Sequence, residues 1–222
     1  MTTENQTTTN AITKRQETHV DVLAAYLKRR ESNLAQYARN SVKTETLIRL
    51  AVYESSKQSW MQKASPESVY ASLIIAAQLG LEPSGARGEA YLVPFKGVCS
   101  LMPGYRGLIK LAMRSGVVKS IRSRIVYEGD DFVVQYGSAE KIHHLPLMNR
   151  ELLEDERGQP VDPKLVAAYA IAELTDGVQQ FEVMDGWQLD KVRGASAQPN
   201  GDAWTKWRDE MYRKAPIRRL AK

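Results

Sequence analysis

Residues 91–116 read YLVPFKGVCSLMPGYRGLIKLAMRSG, and three kinds of local signal sit in this one stretch. Tyr91 to Phe95 and Val98 to Met102 are short apolar runs joined by Lys96-Gly97. A two-residue connection ending in Gly predicts a β-hairpin. Pro103-Gly104 then opens a helix from Tyr105 to Ser115, and Gly116 stops it because glycine tolerates the left-handed conformation at a helix end. On a helix, at about 100° per residue, Arg106, Lys110 and Arg114 fall within an arc of about 80°. They form a cationic stripe that leaves Leu108, Ile109, Leu111 and Ala112 to face a core.

Upstream, apolar residues spaced three and four apart predict a helix from about Val20 to Ala38 and another from Thr44 to about Ser56. A third is better marked. Ser65 is the N-cap, Pro66 takes the first helical position, Gly80 ends the helix and Pro83 blocks its continuation. Downstream, strands are expected at Val117 to Tyr127 and Phe132 to Tyr136. His143 to Pro163 reads as an acidic loop containing Gly158, Pro160 and Pro163. Leu165 to Leu174 and Val178 to Met184 flank Thr175-Asp176-Gly177, a strong hairpin signal. Asp185 is expected to cap a helix to Arg193, and Asp202 a last helix from Ala203 to Ala215, where Pro216 kinks or restarts it. Helices and strands are segregated rather than alternating, so the class is α+β. The expected architecture is a small antiparallel sheet with hairpins packed against several helices, preceded by an N-terminal helical region. Residues 1–18 read as a disordered polar tail. Residues 19–222 read as one domain: 19–64 the N-terminal helices, 65–193 the α+β core, 202–222 a basic C-terminal segment.

Charge is distributed unevenly. The chain has 222 residues and a formal net charge of +5. Gly104 to Tyr127 holds six bases (Arg106, Lys110, Arg114, Lys119, Arg122, Arg124) and no acid. Trp204 to Lys222 holds seven bases against two acids, and Glu128 to Pro163 between them nine acids against three bases. Two basic blocks flank an acidic one, a pattern that fits a polyanionic partner better than a uniformly basic surface does. Arg122 and Arg124 stand two apart on a strand and share a face. Gly104 and Gly107 are expected to admit a close backbone approach, and the helix start beside them to offer amides to an anion. In the last block Trp204, Lys206, Trp207, Arg208, Tyr212, Arg213, Lys214, Arg218 and Arg219 interleave aromatics with cations. Exposed aromatics stack on the bases of a single strand, but Trp204, Trp207 and Met211 at helical spacing also read as one buried face. The cations of this block are the stronger contact candidates.

Several chemistries are missing from the sequence. No Gly is followed by Lys, so no G-x-x-x-x-G-K-[ST] loop cradles a triphosphate. One cysteine, Cys99, rules out an internal disulfide and, with three histidines, makes no zinc pattern. A reducing cytoplasmic setting follows by default. Asp130-Asp131 read as turn formers rather than a nuclease's metal site, and His143-His144 as an exposed pair without a partner. No apolar run reaches the roughly 20 residues of a membrane span. Covalent catalysis is not expected.

Ordered strings then make the chain recognisable. Ser68 to Pro83 is followed by Gly88-Glu89-Ala90-Tyr91-Leu92-Val93-Pro94-Phe95. Next come Gly104-Tyr105-Arg106-Gly107-Leu108-Ile109, Arg114-Ser115-Gly116, Tyr127-Glu128-Gly129-Asp130-Asp131-Phe132, Met211-Tyr212-Arg213-Lys214-Ala215 and Ile217-Arg218-Arg219-Leu220. From about Thr44 to the C-terminus this set resembles the RecT family of phage single-strand annealing proteins, relatives of lambda Red beta. The resemblance implies an ATP-independent recombinase of a bacterial host's cytoplasm. Such a protein coats single-stranded DNA left by a 5′–3′ exonuclease, anneals it to a complement, and assembles into rings or helical filaments. It implies no cofactor beyond at most a loosely bound Mg2+. An exonuclease and a host single-strand-binding protein are the implied protein partners. Tyr105, Arg106, Arg218 and Arg219 match family motifs as DNA contacts. Lys110, Arg114, Arg122, Arg124, Lys206, Arg213 and Lys214 rest on the charge pattern. Pro103 and Pro216 depart from the family, which has an apolar β-former and a more helix-friendly stretch at those places.

Overall fold

A computed structural model describes residues 17–38, 42–59, 61–148 and 163–222. The described residues divide into two compact units, one from residue 17 to Ser84 with Tyr91–Met102, the other Gly85–Ala90 with the described part of 103–222. The class is α+β, with small antiparallel sheets and several helices. The expected tail over residues 1–18 lies almost wholly outside the described residues.

The first unit is helical with one hairpin. The helix expected from Val20 to Ala38 is two: α1 (His19–Arg29) and α2 (Glu31–Ala35), broken at Arg30. Thr18 caps α1 reciprocally with Asp21. α3 (Thr44–Lys57), a 3-10 turn (Met61–Lys63) and α4 (Pro66–Leu79) follow. The Ser65 side chain caps α4 by accepting from the Ser68 amide, and Gly80 ends it at φ 62°. Leu23, Leu27, Leu47, Ala51, Val69, Leu73 and Ala76 form the buried stripe of this bundle. β1 (Ala90–Phe95) and β2 (Val98–Pro103) make the expected hairpin. Lys96 at φ 50° and Gly97 at φ 83° give the two successive positive φ angles of a type I′ turn. α4 holds β2 through two serines: Ser68 Oγ accepts from the Cys99 amide at 2.9 Å, and Ser72 Oγ donates to the Cys99 carbonyl at 3.1 Å. Burial pushes the Cys99 thiol up, away from thiolate chemistry.

The second unit is built on a three-stranded sheet ordered β3 (Val118–Tyr127), β6 (Leu165–Leu174), β7 (Gln179–Asp185), antiparallel throughout. Period-two alternation splits its residues between two faces. On one face Ile125, Ala168 and Met184 pack with Leu189, Trp204, Tyr212 and Ala215 of the C-terminal helices. On the other, Val126, Ala167 and Tyr169 pack with Phe132 and Ile142 of a second hairpin.

That hairpin corrects an expectation. The acidic loop does not begin at His143: β5 (Lys141–Leu145) pairs with β4 (Asp131–Gln135), placing Phe132 opposite His144. Residues 149–162 of the expected loop lie outside the described residues. The C-terminal helices correct another. α6 (Gly186–Gly194) is capped by Asp185 as expected, but Asp202 does not cap a long last helix. It is the first residue of a short α7 (Asp202–Lys206), and the chain breaks at Trp207 before α8 (Arg208–Leu220). Pro216 sits buried inside α8 without ending it.

Candidate nucleic-acid interface

α5 (Tyr105–Arg114) forms as the spacing predicts, so Arg106, Lys110 and Arg114 share its stripe. Gly107 faces inward. A Cβ there would lie 2.0 Å from the Glu89 carbonyl oxygen, so the close approach is to the chain's own backbone and not to a ligand. The amide of Gly104, which the sequence left for an anion, donates to that same Glu89 oxygen at 2.8 Å. Residues 85–90 thus clamp the start of α5, and only a residue without Cβ fits at position 107.

The charge anomaly is smaller in space than along the chain. The Glu89 carboxylate accepts from Lys110 at 2.7 Å and lies 3.7 Å from Arg87. Glu173 on β6 takes Lys119 at 2.6 Å and Arg122 at 3.3 Å. The Lys119 hydrogen bond, then its charge, holds the Glu173 carboxyl below the usual range. In the C-terminal block, Lys206 pairs with Asp202, Arg213 with Glu210 and Arg219 with Glu182. Glu89, Glu173 and Glu182 come from distant segments, while Asp202 and Glu210 pair within a helical turn, and together they offset much of the positive charge.

One group is arranged differently. α5 meets α8, and Arg218 Nη2 donates to the Pro103 carbonyl at 2.9 Å. Lys214 Nζ donates to the Met211 sulfur at 3.0 Å and stands 6.0 Å from the Tyr105 ring centre. Arg106 Nε donates to the Tyr105 hydroxyl at 3.1 Å. A thioether and a carbonyl fix Lys214 and Arg218 without subtracting charge. Arg106 and Lys214 therefore stand at the Tyr105 ring, and Arg218 is held two residues upstream at Pro103. Pro103, the departure from the family pattern, supplies the carbonyl that seats Arg218.

Arg122 and Arg124 stand elsewhere. Ser123 Oγ lies 3.0 Å from the Arg213 carbonyl and 2.8 Å from the Tyr169 carbonyl, sharing its one proton between them, so Ser123 faces α8. Its neighbours Arg122 and Arg124 project to the opposite, hairpin-covered face. There they offset the burial that raises the Tyr169 hydroxyl's pKa. The single groove suggested by the continuous run Gly104 to Tyr127 is split between the two faces of a sheet. Arg124 Nη1 donates to its own neighbour's carbonyl at Ser123, 3.0 Å away.

The hairpin face also holds a network that sequence reasoning missed. His144 is buried, not an exposed bystander: Nδ1 lies 3.1 Å from the Tyr169 hydroxyl and Nε2 3.0 Å from Asp130. Asp130 also accepts from the Tyr127 amide at 2.9 Å and the Leu147 amide at 2.8 Å, closing the turn it was expected to form. Phe132 stacks on Tyr169 at 5.7 Å, and the His144 ring stands edge-on to both. His143 is the exposed member, 3.6 Å from Asp131. The alternation Phe132, Val134 against His144, Ile142 carried this signal, hidden by two histidines reading as polar.

The tryptophans part company as well. Trp204 is buried edge-on to Tyr212, whose hydroxyl donates to Asp190 at 2.7 Å. Burial first, then that bond, raises the Tyr212 pKa. Trp207, at the break between α7 and α8, is 65% exposed.

These features define an α+β protein whose C-terminal unit lays a cation-bearing helix pair on one face of an antiparallel sheet. The chain belongs to the RecT family, whose profile matches residues 45–222. It is 38% identical over 186 residues to Protein RecT of Escherichia coli strain K12, covering 80% of this chain and 65% of that protein. Identity to the Uncharacterized protein YqaK of Bacillus subtilis strain 168 is 38% over 81 residues, 36% of this chain and 28% of the relative. The matches thus span less than two thirds of either relative's length. No helix among the described residues is long and apolar enough to cross a membrane.

Proposed function

We propose that this protein binds single-stranded DNA along the α5–α8 junction and promotes its pairing with a complementary strand in homologous recombination, without consuming a nucleotide. The observation that carries this reading is the seating of Lys214 and Arg218 on neutral acceptors where α8 meets the start of α5, with Lys214 beside the Tyr105 ring. Such a cluster keeps its positive charge available to phosphates, reads no base edges, and binds in a salt-sensitive, sequence-tolerant way. Membership of the RecT family supports the same reading. Cations that neutralise two backbones let the strands approach, and base pairing supplies specificity. Arg114 and Lys110 lie on the same stripe of α5 and join the track as phosphate competes with the partners they hold, Glu89 in the case of Lys110. The reading needs no resident cofactor and leaves room for a loosely held Mg2+. A homo-oligomer would extend the track across copies, and an exonuclease or host single-strand-binding protein would deliver or yield the strand.

Mixing labelled complementary oligonucleotides with the protein in low salt and without ATP tests this. Pairing faster than in the protein-free control is the expected result. Tight binding with unchanged or slower pairing would leave a passive protective protein, and no binding at moderate salt would remove DNA altogether.

A further inference from the structure

Trp207 is the one aromatic of the C-terminal block that the fold leaves open among the described residues. Its partners in the expected buried stripe, Trp204 and Met211, turn inward, while the backbone at Trp207 leaves helical geometry at φ −126° and ψ 37°. The break sets the indole at a cavity of about 490 Å³ lined by Tyr127, Lys206, Trp207, Arg208, Glu210 and Arg213, among others. A pocket of that size sits within the range that holds a small organic ring system.

The lining argues for a nucleobase. Lys206, Arg208 and Arg213 bring cations, while Asp209 and Glu210 bring carboxylates, so the interior suits a neutral polar ring better than a bare phosphate. Asp209 is fixed by accepting from the Tyr127 hydroxyl, and Glu210 accepts from Arg213 at 3.0 Å. Arg213 lines the cavity with its guanidinium held by Glu210, so its charge there is partly offset. An indole face gives sequence-tolerant stacking, since every base has a π-face. The pocket also opens at the start of the helix that carries Lys214 and Arg218. Arg218 lies eleven residues after Trp207, about 16 Å along a helix axis. Roughly five nucleotides at about 3.4 Å each would span that length.

We infer that Trp207 is a stacking platform for one base of the bound strand, with the α7–α8 cavity receiving the base while the α5–α8 cations hold its phosphates. The inference rests on the single-strand-binding reading above, and its test separates the two. Trp207→Ala and Trp207→Phe are compared with the unaltered protein on an oligo-dT strand and on a strand of equal length made of abasic sites. Stacking predicts that Trp207→Ala weakens oligo-dT binding by roughly five- to a hundredfold. It also predicts that Trp207→Phe recovers most of the loss, and that the abasic strand binds all three proteins alike. Equal binding of the abasic strand also verifies that the variants fold. Unchanged oligo-dT binding by Trp207→Ala overturns the platform and leaves the phosphate reading standing. An equal loss on both strands overturns it too, because the indole then acts through assembly or folding rather than through a base. If the unaltered protein binds neither strand, both readings fail.

Discussion

On the helix-covered face of the β3–β6–β7 sheet, Lys214 and Arg218 lean on a thioether and a carbonyl; on the hairpin-covered face, Arg122 shares the Glu173 carboxylate with Lys119. Both regions are basic in sequence, yet they differ in what holds the cations. A guanidinium seated on a neutral oxygen still presents its full charge to solvent. One seated on a carboxylate must trade that partner for a phosphate, and an exposed pair of this kind is weak and screened by salt. The hairpin face spends its polar groups on architecture instead: Asp130, His144 and Tyr169 tie β4, β5 and β6 together around Phe132.

Three variants break or sharpen that contrast. Asp130→Ala should act most strongly. Its side chain is fully buried and accepts from two backbone amides and faces His144. The exposed Leu147 amide can turn to water, but the part-buried Tyr127 amide and His144 ring lose their acceptor, and buried donors left unsatisfied cost about 1–3 kcal/mol each. At about 2–4 °C per kcal/mol for a chain of this size, thermal unfolding should fall by roughly 10 °C. Binding of DNA by the folded fraction should persist; its loss below the transition would move the interface to the hairpin face.

Gly107→Ala comes next. It drives a methyl into the Glu89 backbone and must displace α5 or residues 85–90. Overpacking of this kind costs about 1–3 kcal/mol, read by thermal or urea unfolding. Because α5 carries Arg106, annealing should weaken alongside stability. A variant as stable as the parent would show that the clamp yields easily.

Glu173→Gln should have the smallest effect. It frees Lys119 and Arg122 from their shared acid, so any DNA on that face should bind less than about fivefold more tightly at low salt. No change in affinity is the outcome the helix-face reading favours. A pH series adds a check of sign. The Glu173 pKa is lowered on folding, so its stabilising contribution is present above the unfolded carboxylate value and is lost as pH falls through the folded value. The parent and Glu173→Gln should therefore converge in stability under acid and diverge near neutrality, with the parent the more stable.

Local signals were legible in the sequence. Ser65, Pro66 and Gly80 set both ends of α4, and Lys96-Gly97 set the first hairpin, because caps and turns depend on residues a few positions apart. The stripe on α5 followed from helical phase alone. What stayed hidden depends on partners far along the chain. Glu89 and Glu173 lie outside the run whose charge was tallied, so a count along the chain overstated the free charge. The alternation of β3 put Arg122 and Arg124 on one face, but only the bond from Ser123 to Arg213 reveals that α8 covers the other. β5 was obscured because His143 and His144 read as polar while one of them is core. The break at Trp207 has no Gly or Pro to announce it, and it separates a core tryptophan from an exposed one.

Salt dependence tests the central claim, that the α5–α8 cations hold the phosphates, most directly. Oligo-dT affinity is measured from low to moderate salt for the parent and for the Arg106→Ala, Arg218→Ala double variant. Each phosphate contact to a single strand contributes about 0.7 to the slope of log affinity against log salt, so removing two should make the slope shallower by about 1.4. Arg124→Ala, on the opposite face, should leave the slope where it was. A slope unchanged in the double variant, or shallower only in Arg124→Ala, contradicts the account.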